Sequence, residues 1–341
     1  MSALLILLGL AAALSCLATR AVLALLRRAA ILDHPNARSS HAVPTPRGGG
    51  IAVIASIVVA SLGWSMVAGQ PGSDQTGGGL GIALALAIGL SVLSFVDDLR
   101  SLSAGIRLAA HFLAVAGGLW ALGGHGAFAA YLPQPLDLAL TALAWLWFIN
   151  LYNFMDGIDG LAGVQALTTA LGCVFIYSLL GEAGLMALPL LLCASVAGFL
   201  VWNFPPARIF MGDAGSGFLG FMIGGLSLHA AWLVPEMLWS WQILMGVFII
   251  DATFTLIRRL CNGEKAHEAH RTHAYQYACR HYGSHRAVTL RVLAINVLWL
   301  LPLATFVALE WLDGPLAVLI AYTPLIMLAV RFNAGRPEPE A

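Results

Sequence analysis

The stretch LAGVQALTTALGCVFIYSLLGEAGLMALPLLLCASVAGFLVW, residues 161–202, decides the fold class. It contains two apolar runs, 161–180 and 185–202, separated only by the four residues GEAG. A helix that crosses the hydrocarbon core of a bilayer needs about 20 mostly apolar residues. The stretch therefore predicts a helical hairpin through a membrane, with a short turn at one membrane face.

Similar apolar runs recur along the whole chain of 341 residues, of which 60% are hydrophobic and only 10% are charged. Soluble domains carry about 25% charged residues, and disordered chains carry more charge and fewer apolar residues. An outer-membrane barrel would show weak alternating segments of about ten residues. We therefore predict an all-α polytopic integral membrane protein with about 11 transmembrane helices. The predicted spans are 3–26, 50–69, 79–96, 106–123, 137–152, 161–180, 185–202, 216–234, 239–257, 290–309 and 315–331.

The charged residues divide the connecting segments into two sets. All 17 Lys and Arg residues lie in or beside the segments 27–49, 97–105, 153–160, 203–215, 258–289 and the tail from 332. The other segments carry only acids: Asp74, Asp137, Glu182, Glu236, Glu310 and Asp313. The positive-inside rule then predicts that the basic set is cytoplasmic, with the N-terminus outside and the C-terminus cytoplasmic. We expect one catalytic domain over residues 1–331 with its active-site loops in the cytoplasm, and a short disordered cytoplasmic tail over 332–341.

The N-terminal 20 residues resemble a signal peptide only superficially. Arg20, Arg27 and Arg28 follow the apolar run, whereas a signal peptide carries its positive charge before that run. We interpret this segment as the first membrane span.

The first inner loop, DHPNARSSHAVPTPRGGG (33–50), combines cations with turn-forming residues. Arg38, His41 and Arg47 suit phosphate contacts, and consecutive glycines allow backbone N–H groups to approach a ligand closely. The alternative for the arginines is an ordinary positively charged loop.

The second inner loop, FVDDLRSLSAGIRLAAHF (95–112), places Asp97 and Asp98 at the end of an apolar run, with Arg107 nearby. Paired acids beside arginines are typical of metal-and-phosphate sites. A solvated helix end is the alternative.

The third inner loop, NLYNFMDGIDGLAG (150–163), contains a polar residue at every third position, namely Asn150, Asn153, Asp156 and Asp159. Residues three apart are neighbours on a helix, and acids at membrane depth indicate a functional site. A polar turn between two spans is the less favoured alternative.

The fourth inner loop, NFPPARIFMGDAGSG (203–217), brings Asp213 to a glycine-rich helix start. Such a start binds anions, and an adjacent carboxylate can hold a divalent cation. A simple N-cap explains Asp213 equally well.

The fifth inner loop, residues 258–286, contains His267, His270 and His273 at three-residue spacing, with Arg271 between the last two. A zinc site is conceivable, but no fourth ligand is evident. Phosphate binding fits these residues better. We interpret His281 and His285 as surface-loop residues.

Together the five loops predict a site for Mg²⁺ and phosphate. Its candidate metal ligands are the carboxylates of Asp97, Asp98, Asp156, Asp159 and Asp213. Its candidate phosphate ligands are Arg38, His41, Arg47, Arg107, His270, Arg271 and His273. Mg²⁺ is usually held by one or two carboxylates together with phosphate oxygens. The pattern indicates phosphoryl transfer between a soluble nucleotide donor and a lipid acceptor.

Five motifs carry a family resemblance over residues 33–273: PNARSSH with PTPRGGG, FVDDLRSLSAGIR, NLYNFMDGIDGLAG, NFPPARIFMGDAGSG and HRTH. In order and membrane face they resemble the polyprenyl-phosphate N-acetylhexosamine-1-phosphate transferases, a superfamily that includes phospho-MurNAc-pentapeptide translocase. The details resemble the O-antigen-initiating branch most. Two positions depart from the family pattern, because the HxHH motif lacks one histidine here and Ser39 stands where Lys is common.

The resemblance implies a Mg²⁺-dependent enzyme of the bacterial inner membrane, with Mn²⁺ as an alternative ion. The implied reaction transfers N-acetylhexosamine-1-phosphate from a UDP-sugar to undecaprenyl phosphate, releasing UMP and initiating O-antigen or another cell-surface polysaccharide. The implied partners are undecaprenyl phosphate, UDP-N-acetylhexosamine and membrane lipid, without nucleic acid; a homodimer is left open.

The resemblance also implies roles for individual residues. The expected catalytic residues are Asp97, Asp98, Asp213, His270 and His273. The expected metal ligands are Asp213, Asp97, Asp98, Asp156 and Asp159. The expected substrate contacts are Arg38, His41, Arg47, Arg107, Asn153, Asp156, Asp159, Asn203, Phe210 and Arg271, with Phe210 stacking on uracil. A single displacement is the preferred mechanism, and a covalent phospho-sugar on an Asp is the alternative.

Two other functions compete with this one. A transporter or flippase for lipids or nucleotide sugars would show internal repeats and polar groups at the membrane midplane. The sequence has no repeat visible by eye, and its polar groups collect at one face. A CDP-alcohol phosphotransferase would carry spaced Asp residues in a single helical stretch, which this chain lacks.

Overall fold

The computed structural model describes residues 2–33, 43–68, 77–100, 102–128, 132–265 and 270–337, apart from the side chains of Gly77, Asp98 and Leu99. These residues form helices and turns, and their only β-type pairings are two isolated bridges, Asp33 with Thr45 and Arg47 with Phe210. The all-α fold predicted from the apolar runs is confirmed.

Within the described residues, ten helices are long and apolar enough to cross a bilayer, and a bent pair brings the number to 11 if it counts as one span. The straight helices are α1 (Ser2–Arg28), α2 (Gly50–Val67), α3 (Gly77–Arg100), α4 (Ala104–Ala121), α5 (Gln134–Phe154), α6 (Leu161–Leu180), α7 (Ala187–Asn203) and α8 (Asp213–Leu233). They are followed by the bent pair α9 (Met237–Leu244) and α10 (Gly246–Cys261), and by the short α11 (Ala274–Tyr282). The last spans are α12 (His285–Ile295), continued through a π-helical turn (Asn296–Leu300) into α13 (Leu301–Ala308), and α14 (Gly314–Arg331).

The predicted ninth span, 239–257, is broken rather than straight, because α9 and α10 meet at an angle of 69°. The break frees the carbonyl of Leu244, which accepts a hydrogen bond from the side chain of Gln165 at 2.9 Å. An unpaired carbonyl inside a membrane protein is costly, so this side chain stabilises the bend. Hydropathy alone did not predict the break, since it reports the length of an apolar run and not the direction of the helix axis.

The fifth inner loop and the tail are more ordered than the sequence suggested. The loop contains α11, and α12 begins at His285 instead of near residue 290. The tail was expected to be disordered from residue 332, but residues 332–337 pack against the helices. The Gly335 N–H donates to the Thr272 carbonyl at 2.7 Å, and the Tyr277 hydroxyl donates to the Arg336 carbonyl at 2.7 Å. Residues 338–341 lie outside the described residues.

Helix α8 is the most buried span, and α2, α3, α5 and α9 pack against it. Small residues allow this close packing, as in other membrane helix bundles. A Cβ on Gly224 would come within 2.4 Å of the Trp145 ring, and one on Gly220 within 2.6 Å of the Phe148 carbonyl oxygen. The buried position of α8 fixes the place of its first residue, Asp213.

The starts of α2 and α8 approach each other more closely than side chains would allow. The Gly50 N–H donates to the Met211 carbonyl at 2.9 Å, and a Cβ on Gly50 would lie 2.3 Å from the Gly215 Cα. Glycine at both positions therefore brings the first and fourth inner loops together.

We expect Gly50→Ala to lower the free energy of unfolding by about 1–3 kcal/mol, since a methyl group at this contact must displace backbone. Thermal unfolding of the detergent-solubilised protein measures the loss. Gly89→Ala on α3 is the matched control, because a Cβ at Gly89 meets nothing within 4 Å. Equal unfolding midpoints for the two variants would contradict the close contact.

Candidate active site

A polar cavity of about 290 Å³ lies at the end of the bundle where α5 ends and α2 and α8 begin. Seven residues expected at the site from the sequence line it: Arg47, Asn153, Asp156, Asp159, Asn203, Phe210 and Asp213. Three further polar residues line it that sequence reasoning did not select: Asp33, Gln276 and His285. The structure thus brings together residues from the first, third, fourth and fifth inner loops.

The first and fourth inner loops are joined by backbone hydrogen bonds at the cavity wall. The Phe210 N–H donates to the Pro46 carbonyl at 2.8 Å, and the Phe210 carbonyl accepts from Gly48 and Gly49 at 3.1 and 2.8 Å. The glycine N–H groups were expected to approach a ligand, but they bind the neighbouring loop. Their small size explains this, since a Cβ on Gly49 would lie 2.5 Å from the Phe199 ring.

Arg47 and Asp213 form an ion pair across the two joined loops. Asp213 is the first residue of α8, and the preceding Gly212 has a φ of +80° that favours glycine. Both side chains are partly exposed and line the cavity. The two side chains can therefore separate, so that Arg47 contacts an anion and Asp213 contacts a cation.

Asp156 lies beside this pair, and its carboxyl is difficult to ionise. Burial raises the pKa of the Asp156 carboxyl, and so does the Asp213 carboxylate, whereas Arg47 and a hydrogen bond from the Gly212 backbone lower it; the net result is a pKa of about 8. The single positive charge of Arg47 does not balance the negative charges that Asp156 and Asp213 would carry together. The cavity therefore has the electrostatics of a site that gains stability from an added positive charge.

The donor chemistry of Asp156 and Asp213 suits Mg²⁺ or Mn²⁺, which bind carboxylate oxygens together with phosphate oxygens and water. Within the described residues, no group of three His, Cys, Asp or Glu side chains is close enough to hold a metal ion. The five-carboxylate ligand set expected from the sequence is therefore not assembled by the described side chains. Two carboxylates completed by substrate oxygens fit the cavity better.

Asp159 serves a different purpose from Asp156, although both lie in the third inner loop. One Asp159 oxygen lies 3.0 Å from His285 Nδ1, and the other accepts the Ala207 N–H at 2.9 Å. Asp159 thus ties the third loop to the fourth loop and to α12. His285 was interpreted as a surface residue, but it lines the cavity because α12 begins earlier than expected.

The two asparagines expected to contact the nucleotide both have internal partners. Asn203 is buried; its Oδ1 accepts the Gly160 N–H at 3.1 Å and its Nδ2 donates to the Ile209 carbonyl at 2.9 Å. Asn153 Nδ2 donates to Ser216 Oγ at 3.2 Å. Asn203 therefore braces the loops around the cavity, while Asn153 connects α5 to the start of α8.

The second inner loop lies at the same end of the bundle, since α3 packs along α8 and Ser91 Oγ donates to the Ala214 carbonyl at 3.1 Å. Asp97 does not line the cavity. Its Oδ2 pairs with Arg107 at 3.1 Å and its Oδ1 accepts the Leu102 N–H at 2.6 Å, which fixes the turn between α3 and α4.

Three expected site residues lie wholly or partly outside the described residues. Arg38 and His41 are in the undescribed part of the first loop, and only the helical backbone of Asp98, next to Asp97 on α3, is described.

His273 caps α11 rather than lining the cavity. Its Nδ1 lies 3.2 Å from Asp251 Oδ1, and Asp251 also accepts the backbone N–H groups of Ala274 and Tyr275 at 2.9 Å each. Asp251 was missed by sequence reasoning; the available signal was an acid within the apolar α10. The cap positions α11, which contributes Gln276 to the cavity wall.

His270 stacks near His273, with ring centroids 4.9 Å apart. Burial, the neighbouring His273 and Arg259 together lower the pKa of His270 to about 3, although Asp251 acts in the opposite direction. His270 is therefore neutral at physiological pH and can contact an anion only as a hydrogen-bond donor. Arg271 lies between the two histidines, and its carbonyl accepts from Arg280 at 3.2 Å.

The chain is similar in sequence to known proteins. The model of glycosyl transferase family 4 matches residues 80–231. A protein of Mycolicibacterium smegmatis named decaprenyl-phosphate N-acetylglucosaminephosphotransferase is 31% identical over 318 residues, covering 83% of this chain and 77% of the relative. The chain belongs to glycosyl transferase family 4.

Two further relatives indicate the breadth of the family. A Bacillus subtilis protein named "probable undecaprenyl-phosphate N-acetylglucosaminyl 1-phosphate transferase" is 30% identical over 286 residues, covering 79% of this chain and 75% of the relative. A phospho-N-acetylmuramoyl-pentapeptide-transferase of Chloroflexus aggregans is 29% identical over 260 residues, covering 66% and 65%. The resemblance is confirmed at the level of the family, without its O-antigen-initiating branch, and the protein is a multi-pass membrane protein of this transferase family.

The ionisation of Asp156 predicts a pH-dependent stability. Because the folded pKa is about 8 against an ordinary 3.8, the folded protein binds this proton more tightly than the unfolded chain, and its contribution to stability falls as pH rises from 4 to 8. We expect Asp156→Asn, which cannot ionise, to raise the unfolding midpoint relative to wild type at pH 8.5 more than at pH 5.5. Thermal unfolding without divalent cations measures this difference.

Glu182 is exposed, and Glu182→Gln is the control for that experiment. It should change the unfolding midpoint equally at both pH values. Added Mg²⁺ at pH 8.5 should stabilise wild type more than Asp156→Asn. A pH-independent effect of Asp156→Asn would contradict the buried, proton-binding carboxyl.

Proposed function

We propose that the protein transfers N-acetylhexosamine-1-phosphate from a UDP-sugar to undecaprenyl phosphate, giving polyprenyl-diphosphate-sugar and UMP. The observation that carries the proposal is the cavity with Arg47 and Asp213 paired beside the proton-binding Asp156. Its paired but exchangeable charges suit a diphosphate and a divalent cation. Membership of glycosyl transferase family 4 and the names of the polyprenyl-phosphate relatives support the choice of donor and acceptor.

Substrate binding rearranges the ion pair at the cavity wall. The diphosphate of the donor binds to the Arg47 guanidinium, which is suited to bidentate phosphate contacts. This releases the Asp213 carboxylate, and Asp213 and Asp156 are the residues that would hold Mg²⁺, or Mn²⁺ in its place. A cation held there would supply positive charge to the diphosphate and to the departing UMP.

The remaining residues hold the two substrates in position. Phe210, on the cavity wall, offers a ring for stacking on uracil, and Asn153 and Gln276 offer amides. The turn that contains His270 and Arg271 supplies hydrogen-bond donors for the lipid head group. Asp98 orients the acceptor phosphate; no strong base is needed, since a phosphate monoester with a second pKa near 6 is largely ionised.

The proposed chemistry is a single displacement. An oxygen of the lipid phosphate forms a bond to the sugar-side phosphorus, and the bond from that phosphorus to the bridging oxygen breaks, so UMP leaves with the electron pair. Asp97 is a poor candidate for a covalent nucleophile, because both of its carboxylate oxygens are already engaged. A radiolabelled sugar-phosphate trapped on the enzyme without lipid would overturn the single displacement.

We further propose that this end of the bundle faces the cytoplasm of a bacterial inner membrane, and that the product initiates O-antigen or another cell-surface polysaccharide. The positive-inside rule supports the orientation, because all 17 basic residues lie in or beside the segments at this end. Nucleotide sugars are soluble molecules, so their site must open on the compartment that contains them.

The assay is UMP release from purified protein with Mg²⁺, undecaprenyl phosphate and a panel of UDP-linked GlcNAc, QuiNAc, FucNAc and GalNAc. We expect Asp213→Asn and Asp98→Asn each to reduce turnover by about 100- to 1,000-fold, as for other lost charge-stabilising groups. Both variants should still insert in the membrane. Glu182→Gln, a charge-neutralising change at the opposite end of the bundle, is the control.

Near-normal turnover in either Asp variant would show that the substituted residue does not contribute to the active site. UMP release with none of the four UDP-sugars, together with solute uptake into vesicles, would contradict the transferase and favour transport.

A further inference from the structure

A second cavity, of about 640 Å³, lies at the far end of α8, between the outer halves of α2 and α3 and the start of α7. His229 lines this cavity and follows Asp213 by 16 residues on the same helix. At 1.5 Å per residue, the two side chains are about 24 Å apart along α8. The cavity is therefore separate from the candidate active site.

Two polar atoms at the wall of this cavity have no hydrogen-bond partner in the described structure: His229 Nε2 and Ser61 Oγ. His229 is only 5% exposed. A buried polar atom without a partner is costly, and native proteins rarely leave one unsatisfied. Both atoms therefore indicate a ligand that brings a polar group into the cavity.

The lining of the cavity includes residues of both α2 and α3. Helices α2 and α3 each pack on α8 but make hardly any contact with each other. On α3 the lining extends from Gly78 to Ile88, a length of about 15 Å. Most of the other lining side chains are apolar, so the gap suits a hydrocarbon chain.

The position of His229 on α8 indicates the depth of the polar end of the cavity in a bilayer. His229 is about one helical turn from the end of α8 at Leu233, which places it near the boundary between hydrocarbon and head groups. None of the described lining residues carries a formal charge. The cavity can thus accept a neutral carbonyl or ester oxygen, but it offers no cation to a phosphate.

We propose that this cavity binds a glycerophospholipid of the leaflet opposite the active site. One acyl chain fills the gap between α2 and α3, and an ester carbonyl accepts a hydrogen bond from His229 Nε2. The phosphate remains outside, at the membrane surface. A bare isoprenoid chain fits less well, because it carries no oxygen to satisfy His229.

Two substitutions on α3 test the acyl-chain part of the proposal. Gly81 lines the cavity and Gly89 does not, yet a Cβ meets nothing within 4 Å at either position. Gly81→Leu therefore fills the cavity, and Gly89→Leu is the matched control on the same helix. His229→Leu tests the hydrogen bond, because it keeps much of the side-chain volume but removes the donor.

The experiment incorporates each variant into nanodiscs of ester-linked phosphatidylglycerol or its diether analogue. It then counts by native mass spectrometry the lipids retained after transfer to mild detergent. We expect wild type and Gly89→Leu to retain one lipid, and Gly81→Leu to lose it. Wild type should retain the ester lipid about five-fold better than the diether lipid, the effect of one hydrogen bond, and His229→Leu should lose this preference.

Equal retention by Gly81→Leu and Gly89→Leu, or no retained lipid on wild type, would overturn the lipid site. Equal retention of the two lipids by wild type would overturn the role of His229. Thermal unfolding and UMP release check that each variant is folded, and a failure of the proposed transferase activity would leave the lipid count unaffected.

Discussion

The ion pair between Arg47 and Asp213 is the interaction on which the candidate site depends. It connects the segment before α2 to the first residue of α8, and it lies beside the backbone hydrogen bonds that join the two loops. The close contact between Gly50 of α2 and Gly215 of α8 keeps the starts of the two helices a short and fixed distance apart. The same pair presents one cation and one anion to the cavity. The two residues that join the loops are therefore also the charged groups that suit a diphosphate and a divalent cation.

The packing of α8 explains why these polar groups can be held at a membrane boundary. Its small residues let α2, α3 and α5 approach closely, and this fixes the position of its first turn. Around that turn the loops are braced by Asn203 and Asp159, whose partners are mostly backbone groups. The cavity is thus built from rigid helix ends and short braced loops, which is the arrangement that positions charged substrates accurately.

Much of this could be predicted from the sequence because a bilayer imposes simple constraints. Apolar runs of sufficient length predicted the helices, and the distribution of Lys and Arg predicted that the polar loops lie at one end of the bundle. The bend after Leu244 could not be predicted, because hydropathy does not report helix direction. His285 and Asp251 were missed for a related reason, since their roles depend on where α12 begins and how α10 meets α11. Asn203 was correctly placed at the cavity, but its buried amide is already satisfied by backbone groups.

The most direct test of the account is a structure of the protein with a UDP-N-acetylhexosamine and Mn²⁺, whose position anomalous scattering identifies. The account predicts one ion bound by the carboxylates of Asp213 and Asp156 and by diphosphate oxygens, with Arg47 moved from Asp213 to the diphosphate. An ion bound at Asp97 and Asp98 instead, with the Arg47–Asp213 pair still intact, would contradict it.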